Sequence, residues 1–78
     1  SRKEIPLWRE CRVTRVAAWP GSLVGEKYEV RNISAQDQRL SEREFGILGD
    51  DVVAVSITHT MLPPNSSTEV YVIRRPED

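Results

Sequence analysis

The sequence holds one cysteine and one histidine among 78 residues. A lone cysteine excludes an internal disulfide and a four-thiolate metal site. Cys11 is left as a small buried apolar residue or as a link to another chain. A lone histidine excludes a two-histidine metal pair, and no nucleophile elbow accompanies it. Net charge is also scarce: 11 Lys and Arg stand against 12 Asp and Glu, a formal balance of −1. Proteins that bind nucleic acid by counterion release need a basic excess, so direct nucleic-acid binding is not expected. No apolar run approaches the ~18 residues of a membrane span, so no transmembrane segment is expected. A secretory leader is missing too, but the chain opens on "SRKEIP" without Met. It reads as a piece cut from a longer protein, and the missing leader carries no weight on localisation.

Chemistry is equally sparse. His59 sits in "VVAVSITHTMLPP", and base chemistry would need a nucleophile or carboxylate beside its ring. Thr58 and Thr60 point to the opposite face of a strand, so His59 reads as structural. Asp50 and Asp51 supply too few of the ~6–8 oxygens that calcium prefers. Glu42 and Glu44 suit the first turn of a helix, where negative charge complements the dipole. "GILGD" lacks the lysine and the spacing of a phosphate loop. No catalytic residue, metal site or cofactor is expected. Asn32 ("NIS") and Asn65 ("NSS") are sequons, meaningful only in a eukaryotic secretory protein.

What remains is strand pattern. Residues 1–6 read as a linker, 7–75 as the domain and 76–78 as a tail. "LWRECRV" puts Leu7, Cys11 and Val13 on one parity, whereas Val16 and Ala18 fall on the other. A β-bulge near Thr14–Arg15, or a strand apolar on both faces, accounts for the slip. "WPGSLVG" is a loop by its Pro and Gly, with Leu23 and Val24 either tucked beneath the core or awaiting a partner. "EKYEVRNI" alternates, and a short strand follows near Gln38–Leu40. In "LSEREFG", Ser41 and Glu44 have capping-box spacing, Leu40 and Phe45 that of a hydrophobic staple, and Gly46 a terminator's place. One helical turn around 41–45 is expected. Val53, Val55 and Ile57 share a face that His59 and Met61 continue; "LPPNSS" breaks that strand, and "TEVYVIRR" is the last one. Five or more short strands make an all-β fold, a small antiparallel β-sandwich, partly open and barrel-like. A set this short is not expected to close, so one edge should stay unpaired.

The segments "YEVRNISAQDQRLSEREF", "DDVVAVSITHTMLPP" and "STEVYVIRR", in this order and spacing, resemble the C-terminal domain of TraK proteins from F-type conjugative transfer, a branch of type IV secretion. The resemblance covers roughly residues 24–75. It implies a non-enzymatic periplasmic β-sandwich within a ring-shaped core complex at the inner face of the bacterial outer membrane. It also implies a segment of a TraV-type lipoprotein lying against the sandwich, and a TraB-type scaffold with further copies of the protein completing the ring. The family supplies no binding motif to carry over. From the residues themselves, the expected partner contacts are Trp8, Arg9, Arg12, Val13, Trp19, Leu23, Val24 and Tyr28, arranged along strand 7–18. Arg9, Arg12 and Arg15 would steer an acidic segment. Other classes remain open at this stage: an immunoglobulin-like adhesion domain with real sequons, a small barrel stacking single-stranded nucleic acid on Trp8, Trp19 and Tyr28, and, last, an enzyme.

Overall fold

The computed structural model describes residues 3–5 and 8–76, with side chains from Trp8 onward. The place expected for Leu7 in the first strand lies outside the described residues. Among the described residues seven strands run in chain order: β1 (Lys3–Ile5), β2 (Cys11–Trp19), β3 (Val24–Asn32), β4 (Gln38–Arg39), β5 (Val52–Ile57), β6 (Met61–Leu62) and β7 (Ser67–Arg74). A 3₁₀ helix spans Glu42–Leu48. The main sheet has the order β1-β2-β3-β7-β5, every pairing antiparallel, and β4 and β6 form a second, two-stranded sheet. The fold is all-β and the main sheet does not close.

One face of that sheet is apolar because its strands alternate. Cys11 and Val13, Tyr28 and Val30, and Val70 and Val72 turn inward and are buried. Leu40, Phe45 and Leu62 cover them from the second layer, and Trp8 meets Phe45 edge to face with ring centroids 5.1 Å apart. The helix begins as its spacing predicts. Ser41 N–H donates to Glu44 Oε1 at 2.9 Å, and Glu44 N–H donates to Ser41 O at 3.1 Å. It runs past Gly46, however, and stops at Gly49, whose N–H donates to Gly46 O. Gly49 has φ 148°, and a Cβ there would lie 2.6 Å from Asp51 Oδ1, so a side chain is excluded on both counts.

Asn32 joins the two layers. It is fully buried; its Nδ2 donates to Gln36 O (2.7 Å) and to Leu62 O (2.8 Å), and its Oδ1 accepts from the backbone N–H and hydroxyl of Ser34. Its backbone N–H donates to Ser66 O and its carbonyl accepts from Asn65. A side chain so engaged has no free amide to carry a glycan, and the sequon "NIS" is a packing motif.

Several strand expectations change. The bulge in β2 falls between Arg15 and Ala17, one residue beyond the predicted place. A second bulge, between Val52 and Ala54, throws Val53 outward, so Val52, Val55 and Ile57 pack against the core instead of Val53. The strand expected to continue through His59 to Met61 breaks at 58–60. There His59 N–H donates to Thr68 Oγ1 and the chain passes from the main sheet into β6. β7 alternates cleanly, in contrast to its two apolar parities in the sequence. Lys3–Ile5, expected to be linker, pairs with Val13–Arg15.

Candidate docking edge

An open antiparallel sheet ends in two edge strands, and these two differ. β1 is three residues long, "KEI", and two of the three carry charge. β5 is six residues long, "VVAVSI", with no charge. The charge-free stretch extends from Val52 to Thr68. Natural sheets blunt their edges with shortness, charge and bulges, because an unpaired strand is a template for another chain. β1 carries the first two devices. β5 carries only the bulge at Val53.

The register fixes which groups of β5 face outward. Thr58 N–H donates to Glu69 O at 3.0 Å, which makes that opposed pair a hydrogen-bonded one. Antiparallel pairs alternate between bonded and non-bonded, so Val55↔Val72 and Ile57↔Val70 are non-bonded pairs. The backbone N–H and C=O groups of Val55 and Ile57 therefore point to the free side, where no strand lies among the described residues. Beside them runs an open groove of about 450 Å³, lined by Glu42, Arg43 and Gly46 of the helix, Gly49, and Val52–Val55. Val53 is 55% exposed on its rim.

β5 is held in place from one end. Arg74, at the end of β7, donates through Nη1 to Asp51 Oδ1 (2.7 Å), and Arg75 N–H donates to Asp51 O. Arg74 also donates through Nε to the buried Glu26 at 2.6 Å, which further accepts from the Tyr28 hydroxyl and Arg15. Burial alone would raise the Glu26 carboxyl, but the hydrogen bonds from Arg74, Tyr28 and Arg15 and the Arg74 charge hold it below its ordinary value. Burial, joined by Glu26 and opposed by Arg74, pushes the Tyr28 phenol up. No buried side-chain polar atom among the described residues lacks a partner.

The residues expected to make a partner groove do not come together. Val13 and Tyr28 are corrected outright: at 0% and 2% exposure they belong to the core and offer nothing to a partner. Trp8 lies at the start of β2 against Phe45, beside a small cleft of about 60 Å³ that also touches Cys11 and Glu44. Trp19 lies at the other end, ~26 Å from Cys11 at ~3.3 Å per residue along β2. Trp19 is half-exposed on the outer face over Gly25, where a Cβ would touch its Cε3 at 3.4 Å. The indole thus shields a glycine that Ile73 also approaches. Leu23 is exposed in the hairpin loop and Val24 half-buried. Arg9 and Arg12 are exposed, the latter opposite Arg31 on the outer face, while Arg15 is engaged by Glu26. Nor is β2 an edge over Val13–Arg15, since β1 covers it.

Cys11 is buried, and burial, then Glu10 and Glu44, push its thiol up, which leaves it protonated and unreactive. His59 is exposed, and no hydrogen bond reaches its ring among the described residues. No group of three His, Cys, Asp or Glu among the described residues could hold a metal ion. No helix among them is long and apolar enough to cross a membrane.

Fold and edge together define a small β-module with an open sheet. Its buried titratable side chains, Cys11, Glu26 and Tyr28, belong to the core and to the Arg74 cluster. The chain belongs to the TraK C-terminal domain family, whose model matches residues 1–74. That family is a structural family of bacterial conjugation, and its proteins are periplasmic. A search of curated proteins found no match.

Proposed function

We propose that this domain is a non-enzymatic docking module of the periplasmic core complex of a conjugative type IV secretion system, at the inner face of the outer membrane. It receives an extended segment of a TraV-type lipoprotein by strand addition to β5. Main-chain hydrogen bonds supply the affinity of such a contact and side-chain pockets its specificity. Copies of the protein and a TraB-type scaffold complete the ring around it. The observation that carries this reading is the contrast between a short, charged β1 and an uncharged β5 whose Val55 and Ile57 backbone groups face outward. Trp19, Leu23 and Val24, at the β2–β3 hairpin, would touch other members of the assembly, through the exposed Trp19 and Leu23 above all.

The test is a titration of the domain with peptides tiling the lipoprotein of the same transfer system, using wild type and Val55→Pro. Proline is tolerated on an edge strand where the N–H faces solvent, so the variant keeps the β5–β7 ladder while losing an outward donor. Binding by wild type with at least tenfold weakening in Val55→Pro, which still unfolds cooperatively at a melting temperature lowered only by the lost valine packing, is the expected result. Equal binding by both proteins, or none by wild type at millimolar peptide, would remove the assignment.

A further inference from the structure

The groove beside β5 has a composition of its own. Its two ionic residues, Glu42 and Arg43, are adjacent and of opposite sign, so the rim has no net charge. The rest is Gly46, Gly49, Val52, Val53, Ala54 and Val55. A strand laid along β5 would send alternate side chains to the helix side of the sheet, into this groove, and the others to the outer face beside Ala54 and Ser56. The helix side offers the aliphatic surface of Val52, Val53 and Val55 beside a rim whose two charges cancel. A carboxylate or ammonium seated against those valines, over Gly46, would lose water beside aliphatic side chains. Its volume of about 450 Å³ falls within the ~300–1,000 Å³ of pockets that hold small ligands. It is open to solvent and not enclosed, however, which suits a chain laid on the surface.

The geometry points to an uncharged extended segment of the partner protein whose helix-side residues are aliphatic, one of them seated over Gly46 between the 3₁₀ helix and Val52–Val55. This rests on β5 being the docking edge, and it adds what that edge selects. Gly46 is the means of selection. A Cβ built on it meets nothing within 4 Å, and its backbone is not in the left-handed region, so the missing side chain is not required by packing or by conformation. Its absence keeps the groove floor open.

Two seven-residue peptides, acetylated and amidated, provide the test: alternating Thr and Val, and the same with Asp in place of the central Val. Both are titrated against wild type, Gly46→Leu and Val55→Pro, followed by the methyl resonances of Val52, Val53 and Val55. Wild type is expected to bind the Val peptide, shifting those methyls, and the Asp peptide at least tenfold more weakly. Gly46→Leu fills the groove and should lose at least tenfold for the Val peptide at unchanged melting temperature. Equal binding of both peptides to wild type and Gly46→Leu, with Val55→Pro still deficient, would overturn the groove while leaving the edge intact. Indifference to Val55→Pro would overturn the edge itself. No binding of the Val peptide at millimolar concentration overturns the groove proposal. So does self-association of the free domain abolished by Gly46→Leu, which would give the groove to a second copy.

Discussion

The two borders of the main sheet show how one domain can protect itself on one side and remain receptive on the other. β1 shields the middle of β2 with a three-residue charged strand, leaving an edge with little to offer another backbone. β5 has twice the length and no charge, and it is fixed by contacts on the far side of its own ladder. Receptiveness here is therefore not looseness. Val52, Val55 and Ile57 pack against the core, and Arg74 clamps the turn before the strand. A rigid, uncharged border loses less ordering entropy on docking than a frayed one.

Four perturbations bear on this comparison, in decreasing size. Asn32→Ala should remove both borders together, because it strips the joint between the layers and leaves the Leu62 and Gln36 carbonyls without their donor. Its cost is expected to be on the order of 3 kcal/mol or more in denaturant unfolding, since each abandoned buried group costs ~1–3 kcal/mol. Glu26→Gln leaves Asp51 as the one anion paired with Arg74 among the described residues and should cost about 3 kcal/mol, the low end for removing one partner of a buried pair. It should also reshape the acid limb of stability. The folded Glu26 carboxyl lies below its unfolded value, so its contribution is full above the unfolded carboxylate pKa of ~4.3 and is lost as pH falls through the folded value. The wild-type midpoint should fall more steeply below that pH than the variant's.

Smaller changes separate the borders. Val53→Lys gives β5 the device that β1 already has, and should weaken peptide docking about tenfold, ~1.4 kcal/mol, with little effect on melting because Val53 is largely exposed. Asp51→Asn breaks a partly exposed tie, worth at most ~1 kcal/mol. Its expected signature is faster amide exchange in β5 than in β2 or β3. Equal acceleration in all strands would mean that β5 is not held separately.

Much of the fold was legible in local pattern. Tyr28 and Val30 alternate against Glu29 and Arg31, Ser41 and Glu44 cap a helix, and Pro63–Pro64 interrupt a strand. The site was not, because an edge is a property of sheet order, and order is set by long-range pairing that no local period encodes. Tyr28 and Val13 look like candidate contacts in a list of aromatic and apolar residues, yet the same apolarity is what a core needs. The unbroken lack of charge from Val52 to Thr68 was the signal available for β5. It acquires meaning only once the strand is known to be at a border, since a central strand would read the same way. The bulge at Val53 exchanged the faces of Val52 and Val53, a one-residue event that alternation alone does not locate.

The central claim is that β5, and not β1 or β2, is the border a partner finishes. Residue-resolved amide exchange of the domain, free and with the lipoprotein segment that binds it, tests this most directly. Val55 and Ile57 amides, which point outward in the free domain, should slow by at least tenfold on binding while Lys3–Ile5 stay unchanged. Protection appearing along Lys3–Ile5 or in β2, with Val55 and Ile57 still exchanging freely, would contradict it.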